Sequence, residues 1–96
     1  MLIKAGVDIS RLRPEIRNAL NEINNIYRNN GEELIITSTY EGTHSPGSKH
    51  YANDAVDIRR SVRCHAAIII LLKDTLEPEF FILVEASHIH IHYIRT

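Results

Sequence analysis

From His88 to Tyr93 the chain reads His-Ile-His-Ile-His-Tyr, an alternation with no break. A period of two fits a β-strand and nothing helical, because successive strand side chains point to opposite faces. One face of this strand must carry Ile89, Ile91 and Tyr93, and the other His88, His90 and His92. Such a strand needs an apolar layer on one side and tolerates water or an ion on the other. With 96 residues there is room for one core, so residues 1–96 are expected to form a single domain.

The other elements follow from local signals. Residues 1–9 read as a short extended lead-in. Ser10 has the chemistry of a helix N-cap, with Pro14 and Glu15 in the first turn. Ile16, Ala19, Leu20, Ile23 and Tyr27 then recur at three- and four-residue steps as one apolar stripe. Asn29, Asn30 and Gly31 end that helix, because Asn and Gly accept the left-handed conformation. Residues 34–40 (LIITSTY) are β-branched and aromatic and read as a strand. Residues 41–49 contain Gly42, Pro46, Gly47 and Ser48 and read as a loop. Residues 55–58 alternate again, with Val56 and Ile58 on one face and Ala55 and Asp57 on the other.

Residues 61–75 include the run AAIIILL, whose type alone fits either a buried strand or a buried helix. Length, Ser61 as a cap and the stop at Leu76-Glu77-Pro78 favour a helix. Residues 80–85 and 88–94 close the chain as two strands joined at Ala86-Ser87. The expected architecture is α+β, a small antiparallel sheet with two helices packed behind it.

Composition narrows the function classes. Hydrophobic residues make up 44% and charged residues 24%, with a formal net charge of −1, which gives no electrostatic case for nucleic acid or an anionic membrane as partner. The longest apolar run falls far short of the ~20 residues that span a bilayer. Cys64 is the single cysteine, so no internal disulfide forms. The N-terminus turns polar too soon for a signal peptide; synthesis in the cytoplasm, with release by other means, is the expectation. Cys64 reads as a small buried apolar residue, His65 as a solvated one, and the domain as a monomer.

Chemistry concentrates in two segments far apart in sequence. The stretch HSPGSKHYANDAVDI holds His44, His50 and Asp57; EASHIHIH holds Glu85, His88, His90 and His92. Same-face histidines on a strand sit about 6.6 Å apart at ~3.3 Å rise per residue. One ion bound at ~2.0–2.1 Å therefore takes only one of them. Three protein ligands and an open water position is the catalytic zinc pattern, and His50, Asp57 and His90 can supply it. Glu85 is then a candidate to move the water proton, and His44 and His88 to stabilise an oxyanion.

At these residues the sequence resembles a known family. SKHYANDAVD is similar to the SxHxxGxAxD signature of the LAS-type zinc metallopeptidases, which comprise D-alanyl-D-alanine carboxypeptidases and dipeptidases, L-alanyl-D-glutamate endopeptidases and the Hedgehog signalling domain. ITSTYEG resembles the strand and turn before the site, EASHIHIHY the closing strand, and VDISRLRPEI the lead-in of small phage and bacterial members. The resemblance implies a Hedgehog/DD-peptidase-like fold and zinc on His50, Asp57 and His90. His88 is an alternative third ligand through the ExxH spacing Glu85-Ala-Ser-His88. Glu85 matches the catalytic carboxylate, His44 and His88 match accessory positions, and Ser48 matches the motif serine.

The activity implied is cleavage of a peptidoglycan stem peptide, as in cell-wall degradation by endolysins; the alternative is a non-catalytic, Hedgehog-like zinc-binding interaction module. Asn53 stands where the family has glycine; if that position needs positive φ, Asn is the least costly replacement. Glu41 stands where many peptidoglycan-cleaving relatives carry an arginine for the substrate carboxylate. An acidic residue there repels a C-terminal carboxylate, which weakens a carboxypeptidase reading more than an endopeptidase one.

Overall fold

The computed structural model describes residues 1–39 and 53–94. In chain order the elements are β1 (Leu2–Ile3), α1 (Pro14–Asn29), β2 (Ile35–Ser38), β3 (Ala55–Arg59), α2 (His65–Leu76), β4 (Phe80–Val84) and β5 (His88–Tyr93). The strands form one sheet in the order β1-β2-β3-β5-β4.

The α+β class and the two helices match the expectation; a purely antiparallel sheet does not. β1 runs parallel to β2, with Leu2 beside Ile35 and Ile3 beside Ile36, and the remaining pairs are antiparallel. The cause is connectivity. The chain leaves β1, crosses through α1 and returns as β2, and a helical crossover is how parallel neighbours are joined. The lead-in is thus partly an edge strand, held by Leu2 N–H to Leu34 O (2.8 Å) and Lys4 N–H to Ile36 O (2.9 Å).

α1 begins three residues later than the Ser10 signal suggested. Arg13 is its N-cap, with φ −67° and ψ 153°, and Pro14 takes the first helical position. A residue before proline is pushed out of the α region, so the helix cannot extend upstream of Pro14. Ser10 instead sits in a turn, its backbone N–H donating to Asp8 Oδ1 at 2.8 Å. The stripe Ile16, Ala19, Leu20, Ile23 and Tyr27 is buried as expected. Beyond the helix, Gly31 has φ +72°, the left-handed conformation that glycine adopts without steric cost.

α2 also starts late, at His65, with Cys64 at the N-cap. Ser61 still acts at this end: its Oγ accepts from Cys64 N–H at 2.9 Å and donates to Glu32 Oε1 at 2.9 Å. Arg63 N–H adds a 3.1 Å bond to the same carboxylate oxygen. These bonds, the Arg63 N–H first and the Ser61 hydroxyl second, hold the Glu32 pKa below its ordinary range. His65 is half-buried rather than freely solvated. Its Nδ1 is buried without a partner among the described residues, and burial, helped by the charge of Arg60, lowers its pKa. Cys64 is half-buried against the core and directs Sγ to Asn30 O at 3.5 Å. Pro78 ends α2 by the same steric rule as Pro14, placing Glu77 at ψ 148°.

One apolar core joins both helices to one face of the sheet. Ile16, Ile23 and Tyr27 of α1 and Ile68, Leu72 and Leu76 of α2 meet Ile36, Val56, Ile58, Ile82, Ile89 and Ile91. Tyr27, 1% exposed, donates its hydroxyl to Arg59 O at 2.9 Å and so ties α1 to the end of β3. Burial, then the nearby charge of Glu32, pushes the Tyr27 pKa up to about 12. Among the described residues no helix is long and apolar enough to cross a membrane.

Candidate metal and hydrolytic site

The sheet face opposite the helices collects the polar residues. β3 pairs with β5 so that Arg59 lies beside His88, Asp57 beside His90 and Ala55 beside His92. Directly opposed residues of an antiparallel pair project to the same side. The alternation of Val56/Ile58 and Ile89/Ile91 into the core therefore forces Asp57 and all three histidines onto the other face. On the flanking strands Ser38 lies beside Asp57, while Leu83 and Phe81 lie beside His90 and His92.

Asp57 sits at the centre, 8% exposed, and divides its two oxygens. Oδ1 is 3.1 Å from His90 Nδ1, and Oδ2 is 3.8 Å from His88 Nε2. His88 Nε2 also lies 3.6 Å from Glu85 Oε1, across the turn that joins β4 to β5. On the other side, His90 Nε2 is 2.8 Å from Nδ1 of His92, whose ring stacks on Phe81 at 4.9 Å between centroids. The result is one polar line across the face: Glu85, His88, Asp57, His90, His92. Thr37 supports it by donating Oγ1–H to Asp57 O at 3.2 Å.

Imidazole chemistry restricts this line. A neutral His90 that donates Nδ1–H to Asp57 must accept at Nε2, so His92 donates from Nδ1. If Nδ1 instead becomes a metal ligand, Nε2 carries the hydrogen and donates to His92, which fixes the ligand tautomer. Both proton arrangements satisfy the observed distances. The donor pair itself fits a zinc ion, because two ligands at ~2.0–2.1 Å in a tetrahedral shell lie about 3.3 Å apart. His90 Nδ1 and Asp57 Oδ1 meet that spacing more closely than His88 Nε2 and Asp57 Oδ2 do.

Of the residues singled out from sequence, Asp57, Glu85, His88 and His90 come together here. His44, His50, Ser48 and Glu41 lie outside the described residues. Among the described residues no three His, Cys, Asp or Glu side chains form a metal-holding group, so Asp57 and His90 supply two ligands at most. Sequence reasoning gave His92 no role; its bond to His90 and its stack on Phe81 supply one, and the unbroken HIHIH alternation was the available signal. It also missed Arg60, whose Nη1 donates to Glu85 O at 3.2 Å and Ala86 O at 3.1 Å, fixing the turn that bears Glu85.

Asp54, within the SKHYANDAVD stretch, is 1% exposed and lies 3.6 Å from Arg13 Nε. Asn53 has φ +61°, the conformation for which the motif glycine is suited. No protein-family model, curated protein or solved structure matches the chain.

Proposed function

We propose that the protein is a zinc-dependent peptidase that hydrolyses a bond in the peptide stem of bacterial peptidoglycan, with a Hedgehog/DD-peptidase-like fold. The observation that carries this reading is the β3–β5 register, which sets Asp57 Oδ1 3.1 Å from His90 Nδ1, with His88 and Glu85 beside them. Asp57 and His90 would hold the ion together with His50. When bound, zinc polarises a carbonyl and brings the pKa of a coordinated water to about 7.

The chain's own residues do the rest. Glu85 is exposed and stands at the open end of the polar line, where its carboxylate accepts the proton of the attacking water and delivers it to the leaving amine. His88 Nε2–H, between two carboxylates, donates to the oxyanion that develops on the scissile carbonyl, with His44 in the accessory role. With Nδ1 given to the ion, His90 Nε2–H donates to His92 Nδ1, which would fix the ring's tautomer and orientation.

The test is metal analysis of the purified protein coupled to digestion of purified muropeptides, with products read by mass spectrometry. About one zinc per chain and cleavage at a defined bond are expected. Zinc-loaded but inert protein would turn the assignment to a non-catalytic zinc-binding interaction module, and protein that neither holds zinc nor cleaves would remove both readings.

A further inference from the structure

β4 is an edge of the sheet, and its backbone is only partly paired. Glu85 N–H donates to His88 O at 2.8 Å, and Ile94 N–H donates to Glu79 O at 2.9 Å. Between those two bonds the register runs unbroken, from Phe80 beside Tyr93 to Val84 beside Ile89. Hydrogen-bonded pairs alternate along an antiparallel ladder, so Phe81 and Leu83 bond to β5. The N–H and C=O of Phe80, Ile82 and Val84 therefore point away from β5, in the plane of the sheet. Among the described residues no backbone group meets them there. Natural edges are blunted by charge, proline, bulges or brevity. β1, the opposite edge, is two residues long, whereas Phe80–Val84 is five apolar residues with no register shift. Phe81 and Leu83 are also exposed, at 42% and 44%.

We propose that β4 takes up an extended peptide segment as a further antiparallel strand, apolar where it faces Phe81 and Leu83 and basic where it reaches Glu79. The free backbone groups select an extended chain, because donors and acceptors that recur at every second residue are met by another strand. Charge selects the end of that chain. Glu77 and Glu79 are exposed at the Phe80 end of β4. Glu79 also borders, with Glu15 and Glu22, a cavity of about 430 Å³ that no described lysine or arginine lines. A cation is favoured beside these carboxylates and an anion is repelled.

A second copy of this chain fits the edge less well. Two β4 strands paired antiparallel about Ile82 would use every free group, but Glu79 of each copy would then face Glu85 of the other. Like charges directly opposite destabilise a strand pair. Sliding the pair by two residues separates them at the loss of bonds. One slide brings Pro78, which has no N–H, opposite Val84; the other carries Phe80 beyond β4 to Ala86. A peptide segment that ends opposite Val84 avoids both conflicts. It leaves Glu85 and His88 uncovered, and its binding requires neither zinc nor hydrolysis.

The probe is an acetylated, amidated hexapeptide with valine at its second and fourth positions, lysine at its sixth and threonine between, titrated into the full chain and followed by amide NMR. A Kd on the order of 100 µM is expected. The amides of Phe80, Ile82 and Val84 should exchange with solvent rapidly in the free chain and slowly in the complex. N-methylation of the third peptide residue, whose N–H meets Ile82, should raise Kd about tenfold, whereas the same methyl on the outward-facing fourth residue should leave it within about threefold. Glu79→Lys should weaken binding about fivefold, and a peptide ending in glutamate should restore it. Val84→Pro, at an edge position whose N–H faces outward, should weaken binding about fivefold while the chain still folds by far-UV circular dichroism. No binding at about 1 mM peptide overturns the proposal, as does binding indifferent to the third-residue methyl. Equal affinity of the wild type for the lysine and glutamate peptides overturns the basic end. A peptide-free chain that sediments as a dimer with those three amides already protected gives the edge to a second copy instead.

Discussion

Replacing Tyr27 by phenylalanine removes one oxygen from the centre of the molecule and should leave a signature in pH as well as in stability. The hydroxyl is buried and donates to Arg59 O at 2.9 Å, so its loss strips that acceptor of a donor without opening a large cavity. Such a change costs about 1–2 kcal/mol, or roughly 4–15 °C in melting temperature for a domain of this size.

The alkaline behaviour follows from the pKa, which burial raises from 10.0 to about 12. A raised folded-state pKa means the hydroxyl's contribution is fully present below pH 10 and is lost as pH climbs toward 12. At pH 11 the unfolded chain's tyrosine is mostly ionised and the folded one mostly is not, a difference of about one decade or about 1.4 kcal/mol. The gap between wild type and Tyr27→Phe should therefore shrink to near zero by about pH 11. Urea titrations at 25 °C, followed by far-UV circular dichroism at pH 8, 10 and 11, measure it. Other titrating groups are common to both proteins and cancel. A gap that stays constant from pH 8 to 11, or no loss of stability at pH 8, would refute the reasoning.

Other perturbations probe the site and its frame. Glu85→Gln should retain zinc while muropeptide turnover falls by at least about two orders of magnitude, since a proton shuttle contributes about 10²–10⁴-fold; unchanged turnover would take Glu85 out of the mechanism. His92→Phe should keep the stack on Phe81 but lose the bond to His90, weakening zinc affinity roughly 10–100-fold in a chelator competition. Glu32→Gln should destabilise the fold at neutral pH. Because the folded-state pKa of Glu32 is lowered from 4.5, its contribution is present above that value and vanishes as pH falls through the depressed one, so thermal melts of the two proteins should converge in acid. Ile91→Ala, at a fully buried position facing both helices, should cost about 2–5 kcal/mol by denaturant titration; a smaller loss would mean the core collapses around the gap.

Local rules alone determined much of this protein. The stripe from Ile16 to Tyr27, the stop at Gly31 and the strand at His88–Tyr93 need no long-range information, because periodicity and backbone preference act within a few residues. The assignment of Asp57 and the histidines to faces away from the core followed from the same period. Helix starts were legible in kind but displaced. Serine chemistry pointed to positions 10 and 61, whereas the steric effect of Pro14 set one boundary, and Ser61 capped from three residues upstream.

Three things were decided only in three dimensions. The parallel pairing of β1 with β2 depends on where α1 returns the chain. The partner of each histidine depends on the β3–β5 register, since a slip of one residue would have set Asp57 beside an isoleucine. The roles of His92 and Arg60 arise from contacts across neighbouring strands and the turn between β4 and β5. Alternation says which way a side chain points, but only the pairing of strands says what it meets.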